Sequence, residues 1–250
     1  MPGPEADLDL LVRAAQAAGP IALSFWRSDP RSWDKPDDAG PVTEADLAVN
    51  DALHSTLMGA RPSYGWLSEE SEADASRLDA RRCFIIDPID GTRAFIAGLP
   101  LWTTLIALRT EARPTVGVIA QPYLDEIFVG GPSGARLLRG SEETPLAVRP
   151  CERLNDAIIA TTDPDIFTGS ELGAWTQVRA AAKLARLGCD AYAYAMLAAG
   201  RIDLVAEAGL KPWDWSALIP VIEAAGGQVV NWRGQTPDDG GQILAVGDAR

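Results

Sequence analysis

The chain has 250 residues, 47% of them hydrophobic and 23% charged, with a formal net charge of −13 at pH 7. That composition buries a sizeable core and excludes a disordered or fibrous chain, and the length allows one large domain or two closely packed lobes. A negative far field of this size repels nucleic acid and anionic membranes, no Lys/Arg run offers a patch to reverse it, and an anionic substrate would need bound cations where it docks.

Apolar residues at Leu8, Leu11, Val12, Ala15, Ala22 and Phe25 predict an amphipathic helix over about 6–27, kinked or interrupted at Gly19-Pro20. A Pro/Asp/Gly-rich loop follows over 34–41 and carries Lys35. Thr43 then stands as N-cap of a helix through Met58 with Val49, Leu53 and Leu57 inward. Trp66-Leu67 leads into Ser68-Glu69-Glu70-Ser71 and a polar loop, after which Cys83–Ile86 reads as a buried strand with Asp87 at its end. Residues 102–108 and 115–120 form a hairpin around 111–114, and 127–129 and 136–138 add strands about a Gly-rich turn. The second half gives a strand near 157–161, helices near 171–182 and 191–199, a strand over 202–206, a helix over 214–225 ending at Gly226-Gly227, and strands near 228–232 and 243–246. Strands and helices mix without regular βαβ alternation, so the fold class is α+β rather than a doubly wound parallel sheet.

Cys83, Cys151 and Cys189 are odd in number and widely spaced, which reads as reduced thiols and a cytoplasmic protein. The N-terminus has neither a basic nor an apolar leader, and no stretch approaches the roughly 20 apolar residues of a membrane span. No targeting or anchoring is expected.

The chemistry concentrates in Asp87-Pro88-Ile89-Asp90-Gly91-Thr92, two carboxylates three residues apart at the end of a buried strand. Hard divalent cations take oxygen ligands, and metals bridged by one carboxylate clamp both the attacking and the leaving oxygen of a phosphoryl transfer. Asp87 is the candidate bridge. The Gly91 and Thr92 amides, if they begin a helical turn, would bind phosphate oxygens. A surface Asp-Gly turn would explain the same motif; Glu69-Glu70 alone reads as a solvated acidic pair, and Asp214 after Trp213 as an N-cap.

Together, Leu67-Ser68-Glu69-Glu70-Ser71, Asp87-Pro88-Ile89-Asp90-Gly91-Thr92 and Trp213-Asp214 resemble, in order, the three signature motifs of the inositol monophosphatase family. Lys35, Val42-Thr43-Glu44-Ala45-Asp46 and Ala224-Ala225-Gly226-Gly227 extend the resemblance over nearly the whole chain. It implies a layered αβαβα sandwich, with a metal-binding lobe over about 1–145 and a substrate-wall lobe over about 146–250 that supplies the last metal ligand. It implies two or three Mg²⁺ ions: Glu69, Asp87 and the Ile89 carbonyl would hold the first, and Asp87, Asp90 and Asp214 the second. Glu69 would serve a weaker third ion through waters. In the family the equivalent of Asp46 pairs with the Thr of the D-G-T segment, so Asp46 and Thr92, with Glu69, would activate the water that attacks phosphorus, although Thr43-x-x-Asp46 is also an ordinary capping box. A homodimer is likewise implied. Two departures stand out, Ser68 in place of the usual glycine and Trp215-Ser216-Ala217-Leu218 in place of a small-residue run. His54, the only histidine, lacks Cys or His partners and reads as structural or surface.

The N-terminal motifs are similar to bacterial 3′(2′),5′-bisphosphate nucleotidases, and the segments 99–108 and 188–214 to the histidinol-phosphatases of the family. Substrate choice should follow the later half. Histidinol phosphate then ranks first, a bisphosphate nucleotide second and inositol phosphate third. Asp190 and Glu207 would pair with the substrate ammonium, and Lys35 would also bind substrate. As ordinary structure, Asp190 would be a helix-start residue and Glu207 a strand-end residue. Tyr192 and Tyr194 are either core residues or the lining of a pocket for an imidazole or nucleobase. The alternative from another class is a catalytically idle relative that binds RNA or a polymerase partner, against which the retained ligand set and the acidic charge both speak.

Overall fold

A computed structural model describes residues 2–35, 40–71, 80–237 and 241–248. Parts of two expected loops, over 36–39 and 72–79, lie outside the described residues.

The first helix, α1 (Pro4–Phe25), opens with a proline in its first turn, where no backbone N–H is needed. It runs through Pro20 without interruption. Gln16, whose carbonyl loses its partner there, and Pro20 both lie on the exposed face, where solvent replaces the lost bond. Helix α2 (Glu44–Ala60) begins at Thr43, whose Oγ1 accepts the Ala45 N–H at 3.1 Å while Asp46 accepts the Thr43 N–H at 2.8 Å. Before it, β1 (Ser32–Asp34) and β2 (Pro41–Thr43) make a small antiparallel ribbon.

Seven strands form the larger sheet in sequence order: β3 (Gly65–Ser68), β4 (Arg82–Asp90), β5 (Thr103–Thr110), β6 (Arg113–Gln121), β7 (Glu126–Gly131), β8 (Gly134–Arg139) and β9 (Glu142–Pro145). Among the described residues of this sheet only the β3/β4 pair is parallel. Side chains alternate between its faces. Phe84, Ile86, Ile106 and Leu108 pack under α1 and α2, while Cys83, Ile85, Leu105 and Ala107 face the other way.

That second face is covered by α5 (Asp190–Ala198) and α7 (Leu218–Ala224), which also cover a smaller sheet. It contains β10 (Ile158–Thr161), β11 (Leu184–Leu187), β12 (Leu204–Leu210), β13 (Gln228–Val230) and β14 (Gly241–Val246), in the order β11-β10-β12-β14-β13. Helix α4 (Ser170–Ala181) closes its far face through Trp175, against Ile159 and Ala206. The layers therefore run helix, sheet, helix, sheet, helix, the α+β sandwich implied by the motifs. Among the described residues the short α-helices are α3 (Thr92–Ile96) and α6 (Pro212–Trp215).

Gly117 on β6 and Gly130 on β7 are register partners under α7. A Cβ on Gly117 would overlap the Ala217 carbonyl oxygen, and one on Gly130 the Pro220 carbonyl and Val221 Cα. The bare backbone there lets the Asp214-bearing segment lie directly on the sheet.

The structure corrects several sequence expectations. The strand from Cys83 continues to Asp90. The helix expected over 214–225 is two helices, because Pro220 has no N–H for the Ser216 carbonyl and Ser216 Oγ donates instead to Pro212 O at 2.5 Å. Strands β1, β2, β3, β9 and β11 had no counterpart in the pattern. All are three or four residues long, and β1, β9 and most of β11 are exposed, so they carry little apolar alternation.

Candidate metal and phosphate site

Strict alternation would put Asp87 and Asp90, three residues apart, on opposite faces of β4. Asp87 pairs with Leu105 and Asp90 with Thr103, so β4 spends three steps where β5 spends two. This one-residue bulge reverses the alternation. Ile89 joins Phe84 and Ile86 in the core under α2, and Asp90 turns to the same side as Asp87, toward the second sheet. Thr104 Oγ1 donates to the Pro88 carbonyl at 2.8 Å and supports the bend. An equivalent offset occurs in β12, where Glu207 pairs with Ile243 and Leu210 with Gly241. Two bulged strands thus face each other across a cavity of about 340 Å³ whose lining includes Glu69, Asp87, Asp90, Glu207 and Asp214.

Glu69 follows β3, and its turn is held by Ser68, whose Oγ donates to Asn50 Oδ1 at 2.7 Å. Asn50 and Trp66 in turn donate to Ser71 Oγ, each at 3.2 Å. Ser68 in place of glycine therefore adds an anchor for the Glu69 turn. Asp214 sits in α6, its carboxylate accepting the Lys211 N–H at 2.6 Å. One oxygen from each of Glu69, Asp87 and Asp214 lies within 4.8 Å of the others. Asp90 accepts the Ala191 N–H at 2.8 Å from the start of α5.

The electrostatics are those of an acidic cluster packed away from water. Burial and then repulsion from Glu69, Asp90 and Asp214 push the Asp87 carboxyl well above its usual range. Burial and then Asp190 do the same for Asp90. Burial lifts Asp214 to about 7 against the opposing Lys211 N–H. Asp87 Oδ1 is buried with no hydrogen-bond partner among the described residues. Convergent, mutually repelling oxygen donors with an unused buried lone pair fit a hard divalent cation such as Mg²⁺.

Gly91 takes a φ of 80°, and a Cβ on it would lie 3.2 Å from Asp190 Cγ, so both the left-handed conformation and the contact call for glycine. Thr92 opens α3, and its hydroxyl donates back to the Ile89 carbonyl at 3.1 Å. The expected Asp46–Thr92 pairing is not formed. Asp46 Oδ2 instead accepts the Thr43 hydroxyl at 2.6 Å and its amide, because the capping box supplies two donors three residues away. Asp46 lies behind the cavity wall, with Oδ1 buried and unpartnered and its carboxyl raised by burial.

Lys35 does not line the cavity either. Its ammonium pairs with Glu69 Oε1 at 2.7 Å and Glu70 Oε1 at 2.5 Å, since two carboxylates are within reach of its short loop. Glu70 is lifted to about 7 by burial, against the pull of Lys35. Asp190 and Glu207 do line the cavity. Burial raises Asp190 to about 6, with Arg93 opposing, and Glu207 to about 8, although Glu207 Oε1 accepts the Thr162 N–H at 2.6 Å. Asp190 has a backbone φ of 44°, an uncommon conformation for a residue other than glycine. Tyr194 joins the lining, whereas the Tyr192 hydroxyl turns away to Glu126 at 2.7 Å. The departure at Trp215 places an indole in the core beneath the site. His54 is exposed, edge-on to Trp66.

Sequence reasoning missed Arg93 and Thr162 as cavity residues. Arg93 adjoins Thr92, and that adjacency was the available signal; Thr162 reaches Glu207 through its backbone and left none.

Fold and donor set together define a layered α+β protein with an acidic donor cluster that fits a divalent cation between two bulged strands. Residues 5–249 match the model of the inositol monophosphatase family. The chain belongs to that family, which is Mg²⁺-dependent in general. It is 39% identical over 221 residues to the bifunctional phosphatase IMPL2, chloroplastic, of Arabidopsis thaliana, covering 88% of this chain but only 63% of that protein. A histidinol-phosphatase of Chlorobaculum parvum is 32% identical, with 97% and 93% covered. An inositol monophosphatase structure from Zymomonas mobilis superposes with a TM-score of 0.87 at 36% identity, covering 100% of this chain and 95% of that one. Relatives named inositol-1-monophosphatase and Nus factor SuhB match at 30–31% identity. No helix among the described residues is long and apolar enough to cross a membrane.

Proposed function

We propose that the chain hydrolyses the phosphate monoester of an amino alcohol, histidinol phosphate, as a cytoplasmic, homodimeric Mg²⁺-dependent phosphatase. The observation that carries this reading is the pair of carboxyl groups, Asp190 and Glu207, that line the same cavity as Glu69, Asp87, Asp90 and Asp214. A leaving group with an ammonium would meet them as a counter-charge and draw their raised carboxyls back to the ionised form. The relatives named histidinol-phosphatase support it.

Glu69, Asp87, Asp90, Asp214 and the Ile89 carbonyl would hold two or three Mg²⁺ ions. Bound there, Mg²⁺ would act as a Lewis acid toward water and the phosphoryl oxygens. The chain's own residues orient the ester. Gly91 and Thr92 amides receive phosphate oxygens at the turn into α3. Glu69 would accept the proton of the attacking water, and the Thr92 hydroxyl, whose own proton is given to the Ile89 carbonyl, would orient that water by accepting a hydrogen bond from it, while Asp46 stays engaged by Thr43 at the start of α2. Lys35 positions Glu69 and Glu70. Residues 1–145 carry this machinery except for Asp214, and 146–250 build the leaving-group wall.

A second reading, hydrolysis of a 3′,5′-bisphosphate nucleotide, is favoured by Arg93, the only Lys or Arg among the described residues that line the cavity, which would receive the second phosphate. Phosphate release from histidinol phosphate, 3′,5′-adenosine bisphosphate and inositol 1-phosphate, each with Mg²⁺, with EDTA and with Asp90→Asn, separates these. Mg²⁺-dependent preference for histidinol phosphate supports the first reading and preference for the nucleotide the second. Absence of metal-dependent release from all three overturns both.

A further inference from the structure

Tyr194 is 2% exposed, packed in the layer between the sheets, and at the same time part of the cavity lining. Its hydroxyl is buried and has no hydrogen-bond partner among the described residues. Such a group costs free energy unless something else satisfies it, and buried hydroxyls are rarely left so.

The carboxylates around it are already engaged elsewhere. Glu207 accepts from Thr162, Asp90 from Ala191 and Asp214 from Lys211, all backbone amides. None takes the phenol proton. Tyr194 lies one helical turn after Asp190 on α5, and both side chains face the cavity. Tyr192, two residues earlier, bonds Glu126 on the opposite side.

We infer that Tyr194 is a specificity-determining residue whose buried hydroxyl donates a hydrogen bond to a neutral acceptor on the leaving alcohol, of the azole-nitrogen type, distinct from the group paired with Asp190 and Glu207. This rests on the phosphatase reading above. The carboxyl groups select the cation on the leaving alcohol; the phenol selects what the alcohol carries next to it.

The test compares histidinol phosphate, which has both an ammonium and an azole, with 2-aminoethyl phosphate, which has the ammonium alone. In Tyr194→Phe, kcat/KM for histidinol phosphate falls about tenfold, the equivalent of ~1.4 kcal/mol, mainly through KM. For 2-aminoethyl phosphate it stays within about twofold, because the lost bond has no counterpart there. The Tm of Tyr194→Phe does not fall, since the variant loses an unpaired hydroxyl. Tyr192→Phe shows the reverse pattern, a lowered Tm with kcat/KM for both esters unchanged, which separates a missing structural bond from a missing substrate bond. An equal fall on both esters, or no fall on either, overturns the assignment of Tyr194 while leaving the phosphatase reading intact. No Mg²⁺-dependent release by the unaltered protein from either ester overturns the phosphatase reading itself, and this inference with it.

Discussion

Replacing Asp87 by Asn removes one charge from a cluster in which Glu69, Asp87 and Asp214 present oxygens within 4.8 Å of one another. At that separation and an effective dielectric constant of about 20, each like-charge pair costs about 3 kcal/mol. Asp87 takes part in two such pairs, but its raised carboxyl already relieves much of the repulsion by taking up a proton. The net gain for the metal-free protein is therefore about 1–3 kcal/mol, and at roughly 2–4 °C per kcal/mol for a chain of this size the Tm in EDTA rises by ~2–12 °C. The same change removes the candidate bridging ligand, so millimolar Mg²⁺ no longer raises the Tm and phosphate release is lost. Differential scanning fluorimetry with EDTA and with Mg²⁺ reads both effects on one sample. A variant that melts below the unaltered protein in EDTA, yet still gains Tm with Mg²⁺, would refute the acidic cluster as the metal site.

Glu207 at about 8 and Asp214 at about 7 lie well above their unfolded values of about 4, so the native state holds more protons than the unfolded one between those limits. Stability of the EDTA-treated protein consequently falls as pH rises through this window, by on the order of 3 kcal/mol from pH 6 to pH 8, and urea unfolding at the two values checks the sign. Gly91→Ala forces a side chain into a left-handed position against Asp190. It should cost about 1–2 kcal/mol and most of the activity, and equal activity and Tm would show that the turn tolerates a Cβ. Gly130→Ala sets a methyl against the Pro220 carbonyl. A loss of at least ~2 kcal/mol in chemical denaturation is expected, because the obstacle is backbone with little room to yield.

The longer elements were legible because each repeats one physical signal. Leu8, Leu11, Ala15 and Ala22 mark a helix face, Thr43 with Asp46 marks a helix start, and the β-branched runs about 102–120 mark a hairpin. The carboxylate motifs were legible for a different reason: taken singly Glu69-Glu70 read as a solvated pair and Asp214 as an N-cap, and only their resemblance, in order with Asp87 and Asp90, to the family's three motifs made them a metal-ligand set. Short edge strands such as β9 and β11 were not, since most of their residues meet solvent and their pairing is set by a neighbouring strand rather than by their own side chains.

What the amino-acid order determined by itself is therefore the longer helices and strands and the α+β class, which depend on local periodicity, while the acidic donors were named through the resemblance of their motifs to those of the family. Tertiary structure alone decided that Asp87 and Asp90 share a face, because the bulge that reverses alternation at Pro88-Ile89 is defined against β5. It likewise decided that Thr92 bonds Ile89 rather than Asp46, that Lys35 serves Glu69 and Glu70, and that Tyr194 rather than Tyr192 reaches the cavity. Each depends on which of several competent partners lies nearest after two sheets have packed through a shared helical layer, and that distance is a property of the packed whole.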